Sequence, residues 1–438
     1  MIDNSDTGKI FLTSSIAALT DAQLQGLFTR QSSDDTAIRE ATAAILHDVR
    51  THGDVALTAM ARRFDGVELD AVEVQRAELE RAVAALDPGL RRAMQRSIAN
   101  LESVQRAFLP EQTETCPEPG IRIGRRPDPL DRVGVYAPGG RAAYPSSVLM
   151  GAIPARVAGV REVVLCSPPG PDGLPSGVVL AAAELCGVDR VFAIGGAGAI
   201  GAMAYGTQSV PRVDRIVGPG NAYVAEAKLQ VSGIVGIDSP AGPSELLIIA
   251  DSTADHDVLV REIMAQAEHD PRAVVVVVVV GQRLAESVAR AVADALPSQQ
   301  RRDIIAESML SRGAVLWAAD IHEAIGFSNR FAPEHLLVAT EDASKLLPEL
   351  RNAGTIFIGE HSSVSFGDYM TGANHVLPTG GLARSYSGLS VLDFIRWTTY
   401  QIVTPAGAAS LAEDVGVFAD SEQLFAHAAA ARQWKGAE

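Results

Sequence analysis

Ala273-Val274-Val275-Val276-Val277-Val278-Val279-Val280 is an unbroken apolar run holding seven consecutive valines. It is too short to cross a bilayer, which takes about 20 residues. It reads instead as a central strand of a parallel sheet, buried on both faces. Around it, apolar runs at 246–250, 314–317, 336–338 and 355–358 read as further strands. Helical spacing at 255–268, 283–295, 298–309 and 342–350 fills the gaps between them. The same alternation occurs upstream. Strands are expected at 133–136, 162–166, 190–194 and 215–217, with helices at 147–157, 176–186, 197–205 and 222–231. The pattern predicts an α/β protein with two doubly wound Rossmann-like domains and small helical N- and C-terminal segments.

Residues 34–107 read as helices, with Asp34-Asp35-Thr36 as a cap and Pro88 in a first turn. Residues 110–131 hold five prolines and two glycines and read as an irregular connection or hairpin. The expected division is an N-terminal segment 1–30, a discontinuous first α/β domain of 31–132 plus 245–388, a second α/β domain of 133–244, and a helical segment 389–438.

The chain has 438 residues, of which 47% are apolar and 5% aromatic, so a large core of closely packed layers is available. A net charge of −16 without a long basic run argues against nucleic acid and anionic membranes as partners. Residues 1–6 do not open a signal peptide. The three cysteines, Cys116, Cys166 and Cys186, form no CxxC pair, and their odd number argues against a disulfide framework. A cytoplasmic location is the expectation.

Phe331-Ala332-Pro333-Glu334-His335-Leu336 carries the chemistry. Proline blocks helix continuation and pushes the residue before it towards extended backbone, so Glu334 and His335 are expected at a fixed bend on a strand edge. Adjacent side chains that exchange protons make a general-base pair, with His335 neutral near pH 7. Gln266 and His269 share a helix face, although a His at a helix C-terminus also serves the helix dipole. Asp368 and His375 lie in a loop-rich run, either as polar turn residues or as groups at the top of an α/β sheet. Glu422 and His427, on an Ala-rich terminal helix, read on their own as surface residues.

Gly196-Ala197-Gly198-Ala199-Ile200-Gly201 matches GxGxxG directly after a strand. Gly206 interrupts the following helix early, and the next acid, Asp214, lies near the start of the following strand. A tight strand-to-helix turn therefore competes with a dinucleotide fingerprint. Tyr136-Ala137-Pro138-Gly139-Gly140 and Gly218-Pro219-Gly220-Asn221 are turns at strand carboxyl ends, where α/β sheets bind ligands.

Taken in order, six blocks resemble histidinol dehydrogenase. They are Val135-Tyr136-Ala137-Pro138-Gly139-Gly140, Val217-Gly218-Pro219-Gly220-Asn221, Ala241-Gly242-Pro243-Ser244-Glu245, Gln266-Ala267-Glu268-His269-Asp270, Ala332-Pro333-Glu334-His335-Leu336, and Gly367-Asp368-Tyr369 through Asn374-His375-Val376-Leu377-Pro378-Thr379. The resemblance runs from about residue 35 onward. It implies NAD- and zinc-dependent four-electron oxidation of L-histidinol to L-histidine in the last step of histidine biosynthesis. Zinc falls on Gln266, His269, Asp368 and His427, and acid–base work on Glu334 and His335. Ser244, His375 and Glu422 fall on substrate positions, and the zinc ligands and His335 also face the substrate. Tyr136 and Asn221 fall on NAD positions, which makes 133–244 the NAD side. The family forms intertwined homodimers, so Glu422 and His427 of segment 389–438 would complete the other subunit's site. One position departs: Gly198 stands where the family commonly carries a Gln that contacts NAD. A paralogue that oxidises another small polar alcohol, such as a sulfonated diol, is the alternative.

Overall fold

The computed structural model describes residues 11–30, 36–139 and 143–436. The expected cap at Asp34-Asp35, the glycine at 140 and residues 1–6 lie outside these. The valine run forms an inner strand, Val274–Val280, of a six-stranded parallel sheet. From edge to edge the order is Leu12–Ser15, Gly313–Ala318, Val274–Val280, Glu245–Ala250, His335–Ala339 and Thr355–Ile358. Side chains alternate across a strand, and the valines divide accordingly. Val275, Val277 and Val279 join one apolar cluster, and Val274, Val276 and Val278 the other. A helix at Ile321–Phe331, absent from the sequence reading, covers the second of these clusters.

A second six-stranded sheet has the order Glu73–Val74, Arg190–Ala193, Glu162–Ser167, Arg132–Tyr136, Arg215–Val217 and Gly236–Ile237. Its first strand is antiparallel and the rest are parallel. Two boundaries differ from the sequence expectation. Residues 11–30 are not a separate segment, because Leu12–Ser15 forms an edge strand of the first sheet. Helices between 36 and 107 belong with the second sheet rather than the first. Thr36–His52 lies on Gly196–Tyr205, and Pro88–Ala107 lies on Pro145–Ala158. Glycine explains the first contact. A Cβ at Gly201 would stand 3.1 Å from Leu46 and 3.4 Å from Val49, so the bare backbone there lets the two helices approach without displacing these side chains.

The C-terminal segment is not wholly helical either. Ile395–Val403 is a strand, antiparallel to Ile121–Pro129, which also pairs with Thr113–Glu118. Its β-branched and aromatic content was the available signal. Helices Pro405–Ser421 and Phe425–Arg432 follow and pack on each other. They expose Val417, Phe418, Phe425 and, just beyond, Trp434. Residues 376–394 also cross over, since Val376, Leu389, Val391 and Phe394 sit in the second sheet's core.

The last strand of the second sheet ends at Ile237, and the first sheet's Glu245–Ala250 begins after only seven intervening residues. This short link joins the carboxyl edge of one sheet to the amino edge of the other. Its first residue, Asp238, is buried with Lys228 as an ion pair. Lys228 also donates to the Gly218 carbonyl at 3.0 Å, and Asp238 accepts from the Gly218 N–H at 2.8 Å. Gly218 needs this clamp and its own lack of a side chain: φ is +119°, and a Cβ would run into the Tyr136 carbonyl. Lys228→Met strands a buried carboxylate and is expected to cost about 3–5 kcal/mol in urea unfolding. Lys228→Met/Asp238→Asn is expected to recover most of that. Equal losses would assign the energy to packing of the lysine stem.

Candidate active site

Helix Ile321–Phe331 closes at Ala332, whose N–H reaches the Ser328 carbonyl at 2.8 Å. Ala332 is left-handed, with φ 53° and ψ 67°, not extended as its place before proline suggested. The helix-capping conformation prevails here, at a cost of about 1–3 kcal/mol for a non-glycine residue. Pro333 then turns the chain into strand His335–Ala339. That strand lies inside the sheet, between Glu245–Ala250 and Thr355–Ile358, with Glu334 and His335 at its amino end. Glu334 precedes the strand rather than alternating within it. Its carboxylate therefore stays on the His335 side, with Oε2 3.4 Å from Nδ1.

Both side chains are buried and both are held by the main chain of Glu245. The Glu245 N–H donates to Glu334 Oε2 at 2.6 Å. His335 Nδ1 lies 3.0 Å from the Glu245 carbonyl, which can only accept, so Nδ1 carries the hydrogen. The lone pair of neutral His335 is thereby placed on Nε2. That atom is buried without a hydrogen-bond partner and lies 3.8 Å from Asp368 Oδ1. Burial pushes the His335 imidazole down, but Glu334, Asp368 and the Glu245 carbonyl outweigh it and raise its pKa to about 9. Glu334 and Asp368 thus favour the charged form of the His335 imidazole.

Asp368 sits on a short helix, Val364–Tyr369, rather than in a loop. His375 Nδ1 donates to the Asp368 carbonyl at 2.9 Å, and burial holds its pKa below the usual imidazole range. Gln266 lies near the end of helix His256–Ala267, buried, with Nε2 unpartnered. Glu262, one turn earlier, accepts from the Val364 N–H at 3.1 Å and ties the helix of Gln266 to that of Asp368. His269 is exposed just beyond, and Ser244 immediately precedes strand Glu245–Ala250. These groups gather at the amino edge of the first sheet, not at the carboxyl end expected from doubly wound folds.

Glu422 and His427 are not brought to this site by their own chain. They are exposed, at the end of helix Pro405–Ser421 and on helix Phe425–Arg432. Among the described residues, no three His, Cys, Asp or Glu side chains gather as a metal cage. The nitrogen and oxygen donors of Gln266, His269 and Asp368 nevertheless suit a borderline cation such as zinc. Buried polar atoms without partners beside them, Gln266 Nε2 and His335 Nε2, mark a place built for a further group.

On the second sheet, Tyr136, Gly198 and Asn221 line one cavity of 920 Å³ at the carboxyl edge. Phe64, Asp65, Pro168 and Tyr223 line it too. The Tyr136 hydroxyl accepts from the Gly196 N–H at 3.1 Å, and burial lifts its pKa to about 12. Asn221 caps helix Ala222–Val231 through Oδ1. A Cβ at Gly198 would stand 2.9 Å from Met60 Sδ, so Met60 occupies the space beside this glycine. Burial pushes the Cys166 and Cys186 thiols up, far from thiolate chemistry at neutral pH.

A sequence model of histidinol dehydrogenase matches residues 28–434. The chain belongs to the histidinol dehydrogenase family. Histidinol dehydrogenase of Methanosarcina barkeri is 46% identical over 97% of this chain and 98% of its own. That of Methanosarcina mazei is 46% identical over 96% of each. The crystal structure of histidinol dehydrogenase from Elizabethkingia anophelis superposes with a TM-score of 0.93 at 32% identity, over 97% of this chain and 98% of that one. As a member of the histidinol dehydrogenase family, the protein is an oxidoreductase enzyme. Among the described residues, no helix is long and apolar enough to cross a membrane.

Reading by motif missed the residues that hold the functional groups. Glu245 was visible in the Ala241–Glu245 block only as a neighbour of Ser244. Glu262 stands four residues before Gln266 and so shares its helix face, a signal that was present. The pKa of His335 is open to direct measurement. In metal-free protein its NMR titration should have an alkaline midpoint near 9, and Glu334→Gln should move that midpoint down by removing the nearest raising charge. A midpoint near the ordinary 6.5 in the parent would contradict the geometry.

Proposed function

We propose that the protein oxidises L-histidinol through L-histidinaldehyde to L-histidine, with two NAD as acceptors and zinc as the bound cation. The observation that carries this reading is the Glu334–His335 pair, held by Glu245 with His335 Nε2 unpartnered and turned towards Asp368. Gln266, His269 and Asp368 would hold zinc, joined by His427 of the partner subunit. Zinc bound there would orient the substrate and offset the negative charge of Asp368. With that charge offset, His335 loses part of what raises its pKa and becomes a better base at neutral pH.

In the first oxidation, His335 Nε2 takes the hydroxyl proton while a hydride leaves the carbinol carbon. Tyr136, Gly198 and Asn221 line a cavity that would hold NAD, which would supply the acceptor for that hydride. In the second, Glu334 takes a proton from water as the water oxygen bonds to the aldehyde carbon, and His335 returns its proton to the former carbonyl oxygen, giving the hydrated aldehyde. Oε2 is already engaged by the Glu245 N–H, which leaves Oε1 to face the water. Loss of a second hydride and the remaining protons gives the carboxylate. Ser244 and His375 are assigned to substrate contact, and so is Glu422 of the partner subunit.

Two subunits are part of this reading because Glu422 and His427 are exposed beside Phe418 and Phe425. A second copy that covers these rings would deliver both polar groups to the neighbouring amino edge. Mixing His335→Ala and His427→Ala subunits separates shared from private sites. Shared sites should restore about a quarter of parental activity, since half the dimers are mixed and each regains one intact site. No recovery would place His427 outside the neighbour's site. Glu334→Gln should still form aldehyde from L-histidinol but convert added aldehyde at least about 100-fold more slowly, the scale of a lost general base. Equal rates on both substrates would refute the role of Glu334.

A further inference from the structure

Arg30 and Glu245 form an ion pair that is nearly inaccessible to solvent, with Arg30 Nη1 3.0 Å from Glu245 Oε2. The other Glu245 oxygen, Oε1, accepts from the Gly380 N–H at 2.8 Å. Arg30 Nη2 donates to the Phe331 carbonyl, and the guanidinium lies 3.5 Å from the centroid of the Phe331 ring. Arg30 therefore grips the end of the helix that turns through Ala332 and Pro333 into Glu334. Glu245 grips Glu334 and His335 through its own N–H and carbonyl. One buried pair thus joins three pieces: the start of strand Glu245–Ala250, the 331–335 turn and the loop at 380.

Stability alone is a poor reason for such a pair. Burial drives the Arg30 pKa down to about 10 and the Glu245 pKa up to about 7, so each charge is disfavoured where it stands. Buried pairs are commonly matched in stability by apolar residues of similar shape. They fix geometry in a way apolar residues do not, because a guanidinium fork accepts partners only in its plane.

We infer that Arg30 and Glu245 are positioning residues for the oxidation, holding Glu334 and His335 in reacting geometry from a pair that touches neither substrate nor cofactor. This rests on the roles proposed for Glu334 and His335. It gives the N-terminal segment, which carried no readable motif, a part in the site. Gln266, His269 and Asp368, the residues proposed to hold zinc, lie on other elements, so the effect belongs to turnover and not to zinc binding.

The test compares Arg30→Lys, Arg30→Met and Arg30→Met/Glu245→Gln with the parent as zinc-loaded dimers. The double variant leaves no buried charge unpaired and keeps an acceptor for the Gly380 N–H, so it should melt close to the parent. Its kcat for both oxidations should fall about 10- to 100-fold, the scale of a small misplacement of reacting groups. KM for L-histidinol and zinc affinity by chelator competition should be unchanged. Arg30→Lys, which keeps one donor and the charge, should recover part of kcat. Parental kcat in the double variant, or in Arg30→Lys and Arg30→Met if the double does not fold, would overturn the inference. So would losses that track melting temperature, KM or zinc affinity. No NADH from the parent in the same run would instead refute the proposed function.

Discussion

A buried peptide group at the start of a parallel strand must find a partner, since leaving one unmade costs about 1–3 kcal/mol. At Glu245 the sheet cannot supply partners on the His335 side. The register pairs Leu246 with His335, so Glu245 lies one residue ahead of its neighbour strand. Its N–H and carbonyl are satisfied by Glu334 Oε2 and His335 Nδ1 instead. The same two bonds that complete the backbone therefore orient the Glu334 and His335 side chains and leave the lone pair of a neutral imidazole on Nε2. A shift of register at this strand would cost the sheet and the site together.

Placement of the two sheets follows from the short link after Ile237. A carboxyl edge usually gathers ligands in α/β proteins, and the second sheet keeps that habit with Tyr136, Gly198 and Asn221 around one cavity. On the first sheet Glu334 and His335 stand instead at the amino edge, where the link delivers Ser244 and Glu245. Asn374 adds a tie across the halves, with its amide 2.8 Å from the Met150 carbonyl on the second side. His375 is fixed next to that tie, between Asp368 and the second core.

Much of this was legible in the chain. The valine run, the strands around it and the alternation with helices needed only periodicity, and Glu334–His335 stood out as a proton-exchanging pair behind a proline. What was not legible depends on contacts distant in sequence. Nothing local says that helix Thr36–His52 lies on Gly196–Tyr205, since the glycine at 201 and the leucine at 46 become complementary only when folded. Arg30 and Glu245 are 215 residues apart, and each reads alone as an ordinary charge. Strand Ile395–Val403 was lost for another reason: most of it is exposed, so it lacks the apolar alternation by which half-buried strands are recognised. His335 differed because a motif identifies a base but not its charge. That charge depends on how closely Glu334 and Asp368 approach it.

The most direct measurement is the yield of NADH per L-histidinol consumed, before chelation, after it, and after zinc is restored. Two NADH per L-histidinol, lost on chelation and recovered with zinc, is the expected result for Glu334 and His335 acting in sequence beside a cation. A yield of one would mean that oxidation stops at the aldehyde and would contradict the role given to Glu334.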